Sequence, residues 1–102
     1  MFNQMKQIQE MQKKAKELQR QLESIKVERT NSSRTLGVTV NGAQRIESIR
    51  IEPAWFTPEK KSALETALVQ VVNDAFNEAQ KQTATQAAAL MKDLKSMNIP
   101  GL

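Results

Sequence analysis

The chain contains no cysteine, no histidine and no tyrosine. Without cysteine there is no disulfide framework and no redox thiol, and without histidine as well the usual zinc ligands are gone. The side chains most often used as nucleophile or as base near neutral pH are missing too, leaving carboxylates, lysines and hydroxyls. The three glycines, Gly37, Gly42 and Gly101, are too scattered to build a phosphate-cradling loop. Aromatic residues make up 4% of the chain. No strand carries them interleaved, which disfavours a base-stacking RNA-recognition sheet. No run approaches the roughly 18 to 20 apolar residues that span a bilayer. The start, Met1-Phe2-Asn3-Gln4-Met5-Lys6, lacks the charged head and apolar run of a secretory signal. The expectation is a non-enzymatic cytoplasmic protein with no cofactor, no small-molecule substrate and no membrane partner.

What is present fits one globular domain over residues 1–102, with 39% apolar and 25% charged residues. Fifteen Lys and Arg against eleven Asp and Glu leave a net charge of +4. Residues 1–24 are rich in Gln, Lys, Glu, Met and Leu and read as a helix. Within and just beyond it, Ile8, Met11, Ala15, Leu18, Leu22 and Ile25 are separated by 3, 4, 3, 4 and 3 residues. That is a heptad seam with Ile8, Ala15 and Leu22 at a, and Met11, Leu18 and Ile25 at d. So narrow a stripe suits pairing with another helix better than lying on a sheet, and the helix is expected to project as a rod.

Over residues 25–52 the period changes to two, giving three half-buried antiparallel strands. Asn41-Gly42 predicts a two-residue type I′ hairpin, with Val40 facing Ala43, Val38 facing Arg45 and Leu36 facing Glu47. In that register Ile49 and Ile51 share the apolar face and Ile46 falls on the other one. Asn31-Ser32-Ser33 makes the first turn, and Pro53 ends the sheet because it has no N–H for a ladder.

Thr57-Pro58-Glu59 reads as N-cap, N1 and an acid at the positive end of the helix dipole. Residues 57–96 then form one helix, or two if it breaks near Thr83–Thr85. Leu64, Leu68, Val71, Val72, Ala75, Phe76 and Ala79 give it a broad apolar stripe suited to covering a sheet. Residues 97–102 are a short tail. The fold class is α+β: long N-terminal helix, three-stranded antiparallel sheet, long C-terminal helix.

One covering helix leaves a sheet edge open, and the heptad seam lacks a partner. A two-fold homodimer cures both defects, dimerising through the sheet region. The expected interface residues are Leu36, Val38, Val40, Ile49, Ile51, Trp55 and Phe56. Trp55 and Phe56, between the sheet and a helix cap, suit packing or subunit contact better than base stacking.

Lys6, Lys13 and Arg20 all fall at f, opposite the seam and about 10.5 Å apart along the axis. Lys14 at g and Lys16 at b flank them. Such a strip on a projecting rod can reach the phosphates of duplex DNA, and Lys6, Lys13, Lys14, Lys16 and Arg20 are the candidate contacts. A solvated face displays the same charges, and Glu10 and Glu17 stand within i,i+3 or i,i+4 reach of Lys13, Lys14 and Arg20. The alternative is a protein-interaction module whose heptad helix grips a partner helix without touching DNA.

The ordered set of segments also resembles a known family. A Gln/Met/Lys-rich first helix, Met5-Lys6-Gln7 through Gln9-Glu10-Met11-Gln12-Lys13, precedes Val38-Thr39-Val40-Asn41-Gly42. Ile49-Arg50-Ile51-Glu52-Pro53 follows, then Leu64 to Val72, Ala75-Phe76-Asn77-Glu78-Ala79 and a Pro-Gly near the end. Over essentially the whole chain this resembles the YbaB/EbfC family of bacterial nucleoid-associated proteins. The resemblance implies a small dimeric DNA-binding protein of the bacterial cytoplasm and nucleoid. Its helix–strands–helix protomers would join through the sheet and project helices like tweezers. It would influence nucleoid organisation and gene expression with low or variable sequence preference.

Overall fold

The computed structural model describes residues 2–96. The order is α1 (Phe2–Ser24), β1 (Lys26–Thr30), β2 (Leu36–Asn41), β3 (Ile46–Ile51) and α2 (Lys61–Ser96), with 3-10 turns at Pro53–Trp55 and Pro58–Lys60. This is the expected α+β architecture. The tail over 97–102 lies outside the described residues.

Helix α1 has no glycine or proline to interrupt it and spans 23 residues, about 34 Å at 1.5 Å per residue. At its C-terminal end the Ser24 hydroxyl donates to the Gln21 carbonyl at 2.6 Å. The Leu22 carbonyl accepts from the amides of Ile25, at 3.2 Å, and Gly42, at 2.9 Å. Helix end carbonyls that would otherwise lack partners are thereby satisfied.

The sheet has the order β1-β2-β3, antiparallel throughout. Central β2 is the heart of the molecule, with Leu36, Val38 and Val40 all fully buried. Side chains alternate across a strand. One face therefore carries Val27, Leu36, Val38 and Val40, and the other carries Lys26, Glu28, Thr39 and Arg50. Each buried Val or Leu contributes roughly 1.5–3 kcal/mol by leaving water.

The β2–β3 connection departs from the expected hairpin. Leu36 pairs with Ile51, Val38 with Ile49 and Val40 with Ile46, and a bulge leaves Glu47 unpaired. The loop is longer than two residues. Asn41 and Arg45 close it through an amide-to-carbonyl bond of 2.9 Å, and the left-handed residue is Gln44, at φ 64°. The Asn41 side chain makes this loop. Its carboxamide oxygen accepts from the amides of Ala43 at 2.9 Å and Arg45 at 3.2 Å, and its amide donates to Glu47 at 3.0 Å. Two residues either side of a bulge break the alternation. Ile46 thus joins Ile49 and Ile51 on the inner face instead of facing away.

Helix α2 runs unbroken through Thr83–Thr85 and is 36 residues long. Thr57 has the extended backbone of an N-cap, φ −126° and ψ 147°, but its hydroxyl makes no capping bond. A single 3-10 turn at Pro58–Lys60 leads into the α-helix at Lys61 instead. Val71, Ala75 and Ala79 pack on Val27, Val38 and Val40, with Val72 and Phe76 at the margin. The two alanines let the helix backbone lie close to the sheet. α2 crosses β1 and β2, and past the sheet its stretch from Thr83 to Ala89 shares a cleft with α1. The result is a molecule of 65 × 29 × 16 Å.

Candidate nucleic-acid interface

Two rods, α1 and the distal part of α2, leave the body at the end marked by the β2–β3 loop. What sets their departure is Gly42. A Cβ there would come within 2.7 Å of the Leu22 carbonyl, 2.9 Å of the Thr83 hydroxyl and 3.0 Å of Ile25 Cδ1. Hydrogen in place of a side chain lets α1, α2 and the loop meet at one point.

Between the rods lies an apolar cleft of about 520 Å³, lined by Leu18, Gln21, Leu22, Thr83, Gln86, Ala87 and Ala89. Beyond it the α1 seam continues into solvent, with Ile8 56%, Met11 70% and Leu18 50% exposed. The buried Thr83 hydroxyl has no hydrogen-bond partner.

The α1 cations are all exposed: Lys6, Lys13, Lys14, Lys16 and Arg20. Among the described residues, the ion pairs are Lys26–Glu47 at 3.0 Å, Arg29–Glu78 at 3.3 Å and Arg50–Glu52 at 3.9 Å. All three hold cations of the sheet, and none engages α1. Glu23 accepts instead from Gln19, at 3.3 Å. The rod therefore carries five cations against three glutamates with no ion pair, whereas on the body Lys26, Arg29 and Arg50 are paired and Arg34, Arg45 and Lys61 are not. The α2 cation Lys81 is likewise exposed, its neighbour Glu78 being taken by Arg29. Lys60 is tied down structurally, its ammonium donating to the Ala54 carbonyl at 3.1 Å.

The surroundings of Glu47 perturb its carboxyl. The Asn41 carboxamide and then the Lys26 ammonium, both hydrogen-bonded to it, hold its carboxyl below the ordinary glutamate value, against a small opposing effect of desolvation.

The residues expected at a subunit interface separate into two groups. Leu36, Val38 and Val40 are wholly buried within the chain itself and have no surface to offer. Trp55 is half-buried, its indole N–H donating to the Thr35 hydroxyl at 2.9 Å. Ile49 and Phe56 are exposed, at 48% and 66%, and Ile51 is half-buried.

Pattern reading missed the rest of this surface. The Arg29–Glu78 pair turns that flank of α2 toward β1. At 100° per residue, Val69, Val72 and Phe76 then face the β3 side. Ile46, 45% exposed, and Val69, 60% exposed, thus border the part of the inner sheet face that α2 leaves bare. An apolar trough results, running along β3 beside α2. The sequence did carry a signal for it: Ile46 is out of step with Ile49 and Ile51, and a bulge is what brings such a residue back to the common face.

Among the described residues no helix is long and apolar enough to cross a membrane. A family model described as the YbaB/EbfC DNA-binding family matches residues 1–94. A nucleoid-associated protein of Clostridium kluyveri is 36% identical over 102 residues, covering 100% of this chain and 87% of its own length. One from Pelotomaculum thermopropionicum is 35% identical over 102 residues, covering 100% of this chain and 94% of its own. Among solved structures, an uncharacterized protein from Helicobacter pylori shares the fold with a TM-score of 0.67 at 17% identity, covering 82% of this chain and 88% of that one.

Proposed function

Since the chain belongs to the YbaB/EbfC DNA-binding family, we propose that it binds duplex DNA as a homodimer, chiefly through phosphates, at the nucleoid in the cytoplasm. The observation that carries this reading is the unpaired cationic row on α1. The body's Lys26, Arg29 and Arg50 are matched by carboxylates, whereas Lys6, Lys13, Lys14, Lys16 and Arg20 stand unpaired on a rod. Phosphate contacts fix position along a duplex without reading its bases, so selectivity is slight unless DNA shape contributes. Nucleoid organisation and gene expression are then affected by coverage of DNA more than by recognition of single sites.

The trough bordered by Ile46, Ile49, Phe56 and Val69 supports the dimer. Exposed apolar surface of this kind is characteristic of protein–protein contact. A two-fold contact there presents two rods, and their modest charges add on one polyanion.

The test is a gel-shift series on random duplex at increasing salt. Affinity should fall steeply, with a logarithmic slope of about −0.9 for each phosphate contact. The triple variant Lys13→Gln, Lys14→Gln, Arg20→Gln should weaken binding to unrelated sequences alike and flatten that slope. An affinity indifferent to salt would reject the reading.

A further inference from the structure

We infer that α1 is also an assembly surface, along which the heptad seam of one copy pairs antiparallel with that of a second copy from another dimer. The inference builds on the proposed dimer. It starts from three features of the exposed seam.

First, the seam is flanked by neutral residues at all but one position. Its e neighbours are Met5, Gln12 and Gln19 and its g neighbours Gln7, Lys14 and Gln21, while Glu10, Glu17, Lys13 and Arg20 lie away from it. Flanking charges are what normally select a foreign partner helix. Here a single Lys14 meets its own copy near the centre of the pair, and nothing else in the flanks opposes self-pairing.

Second, the volumes complement one another in antiparallel order. Layers of a against d place Ile8 opposite Leu18 and Met11 opposite Ala15, so the smallest residue of the stripe meets a large, adaptable one. Parallel in-register pairing would set Ala15 against Ala15 and leave a void. The first turn of α1 has no acidic residue and its last turn no basic one. Antiparallel neighbours place opposite dipole ends side by side, which those uncompensated ends favour.

Third, the cleft fits the end of such a partner. The same register brings Gln4 of the second copy against Leu22, and Ile8 of that copy against Leu18, both of which line the apolar cleft. Gln4, which continues the stripe at a d position, is polar, and among the described residues the Thr83 hydroxyl in the cleft is the one buried side-chain polar atom without a partner.

Antiparallel rods hold their bodies at opposite ends, about 30 Å apart. Two copies so joined cannot also meet through their troughs. The seam therefore links different dimers, and two distinct two-fold contacts on one chain build either a closed tetramer, where their axes meet at right angles, or an open string of dimers, where they do not meet. The f positions Lys6, Lys13 and Arg20 remain on the outer side of each rod, so a joined pair offers cations on two opposite faces. One duplex on each face would be bridged.

The chain's lack of cysteine makes the test direct. Met11→Cys and Ala15→Cys are exposed substitutions on α1 that leave the body untouched. Mixed under mild oxidant without DNA, they should form a disulfide-linked heterodimer at several times the yield of either variant alone. Equal or greater self-linking of each single variant would overturn the antiparallel register. In sedimentation, the wild type should grow beyond dimers with concentration, and the charge-neutral Ile8→Gln with Leu18→Gln should stop at the dimer. A double variant that falls to monomers would make the seam the primary dimer contact and overturn the inference, as would a wild type that never exceeds a dimer. Binding to a short duplex with room for one dimer should be retained by the double variant, which separates this inference from the DNA-binding reading itself.

Discussion

The Gly42 amide donates to the Leu22 carbonyl at 2.9 Å, locking the end of the first rod onto the loop after β2. The approach leaves no space for a methyl group, which would sit 2.7 Å from that same carbonyl oxygen. Gly42→Ala should therefore destabilise the fold by about 1–3 kcal/mol, the usual cost of forcing atoms into a packed site. Urea denaturation followed by far-ultraviolet circular dichroism measures it. The variant should also splay the rods and lower DNA affinity.

A second prediction concerns Glu47. Its carboxyl is held below the ordinary glutamate value by Asn41 and Lys26. A depressed folded-state value means that the unfolded chain binds the proton more readily. The contribution to stability is complete above the ordinary glutamate value and disappears as pH falls through the lowered one. Glu47→Gln should flatten that acid limb, and denaturation midpoints collected across the carboxylate range test the difference.

Gln44 occupies the left-handed region at φ 64°. A side chain in that conformation costs roughly 1–2 kcal/mol, whereas glycine is free of the clash. Gln44→Gly should stabilise the protein by about 1 kcal/mol in the same denaturation assay, with no effect on the salt dependence of DNA binding.

The β1–β2 loop hangs on Asn31. Its carboxamide oxygen accepts from the amides of Thr35 at 2.8 Å and Leu36 at 3.0 Å. Its amide donates to the Thr35 hydroxyl at 2.9 Å, which also accepts from Trp55. Asn31→Ala strips these partners from half-buried groups and should cost about 2 kcal/mol. Because Trp55 is the one tryptophan, its fluorescence should also shift as its surroundings loosen.

Ile49→Lys addresses the trough. The side chain is 48% exposed in the isolated protomer, so the variant should fold normally. Placed in a two-fold contact, the new charges would be buried without partners. Mass measurement should show a monomer, and DNA affinity should drop at least tenfold as two-rod attachment is lost.

Helix seams, strand faces and the covering stripe of α2 were legible because each follows a single period. The hairpin register was not. Asn-Gly suggests a turn in which glycine supplies positive φ, yet here Gly42 serves close approach and Gln44 supplies the left-handed residue. Which of glycine's two properties a turn uses depends on what packs against it, in this case Leu22 and Thr83 from distant parts of the chain. The same limit hid the trough. Val38 and Ile49 are neighbours on one sheet face, and only the placement of α2 decides that the first is core and the second is surface. The cationic row on α1 was readable from spacing alone, while the ion pairs that occupy Lys26, Arg29 and Arg50 needed the fold.

Since α2 passes from its buried anchor at Val71, Ala75 and Ala79 to its far end as one uninterrupted helix, it behaves mechanically as a lever fixed at one end. A sideways load on its far end would be delivered as torque on the sheet, since the helix has no break to absorb it. Such a load would be felt at the hydrophobic centre of the chain.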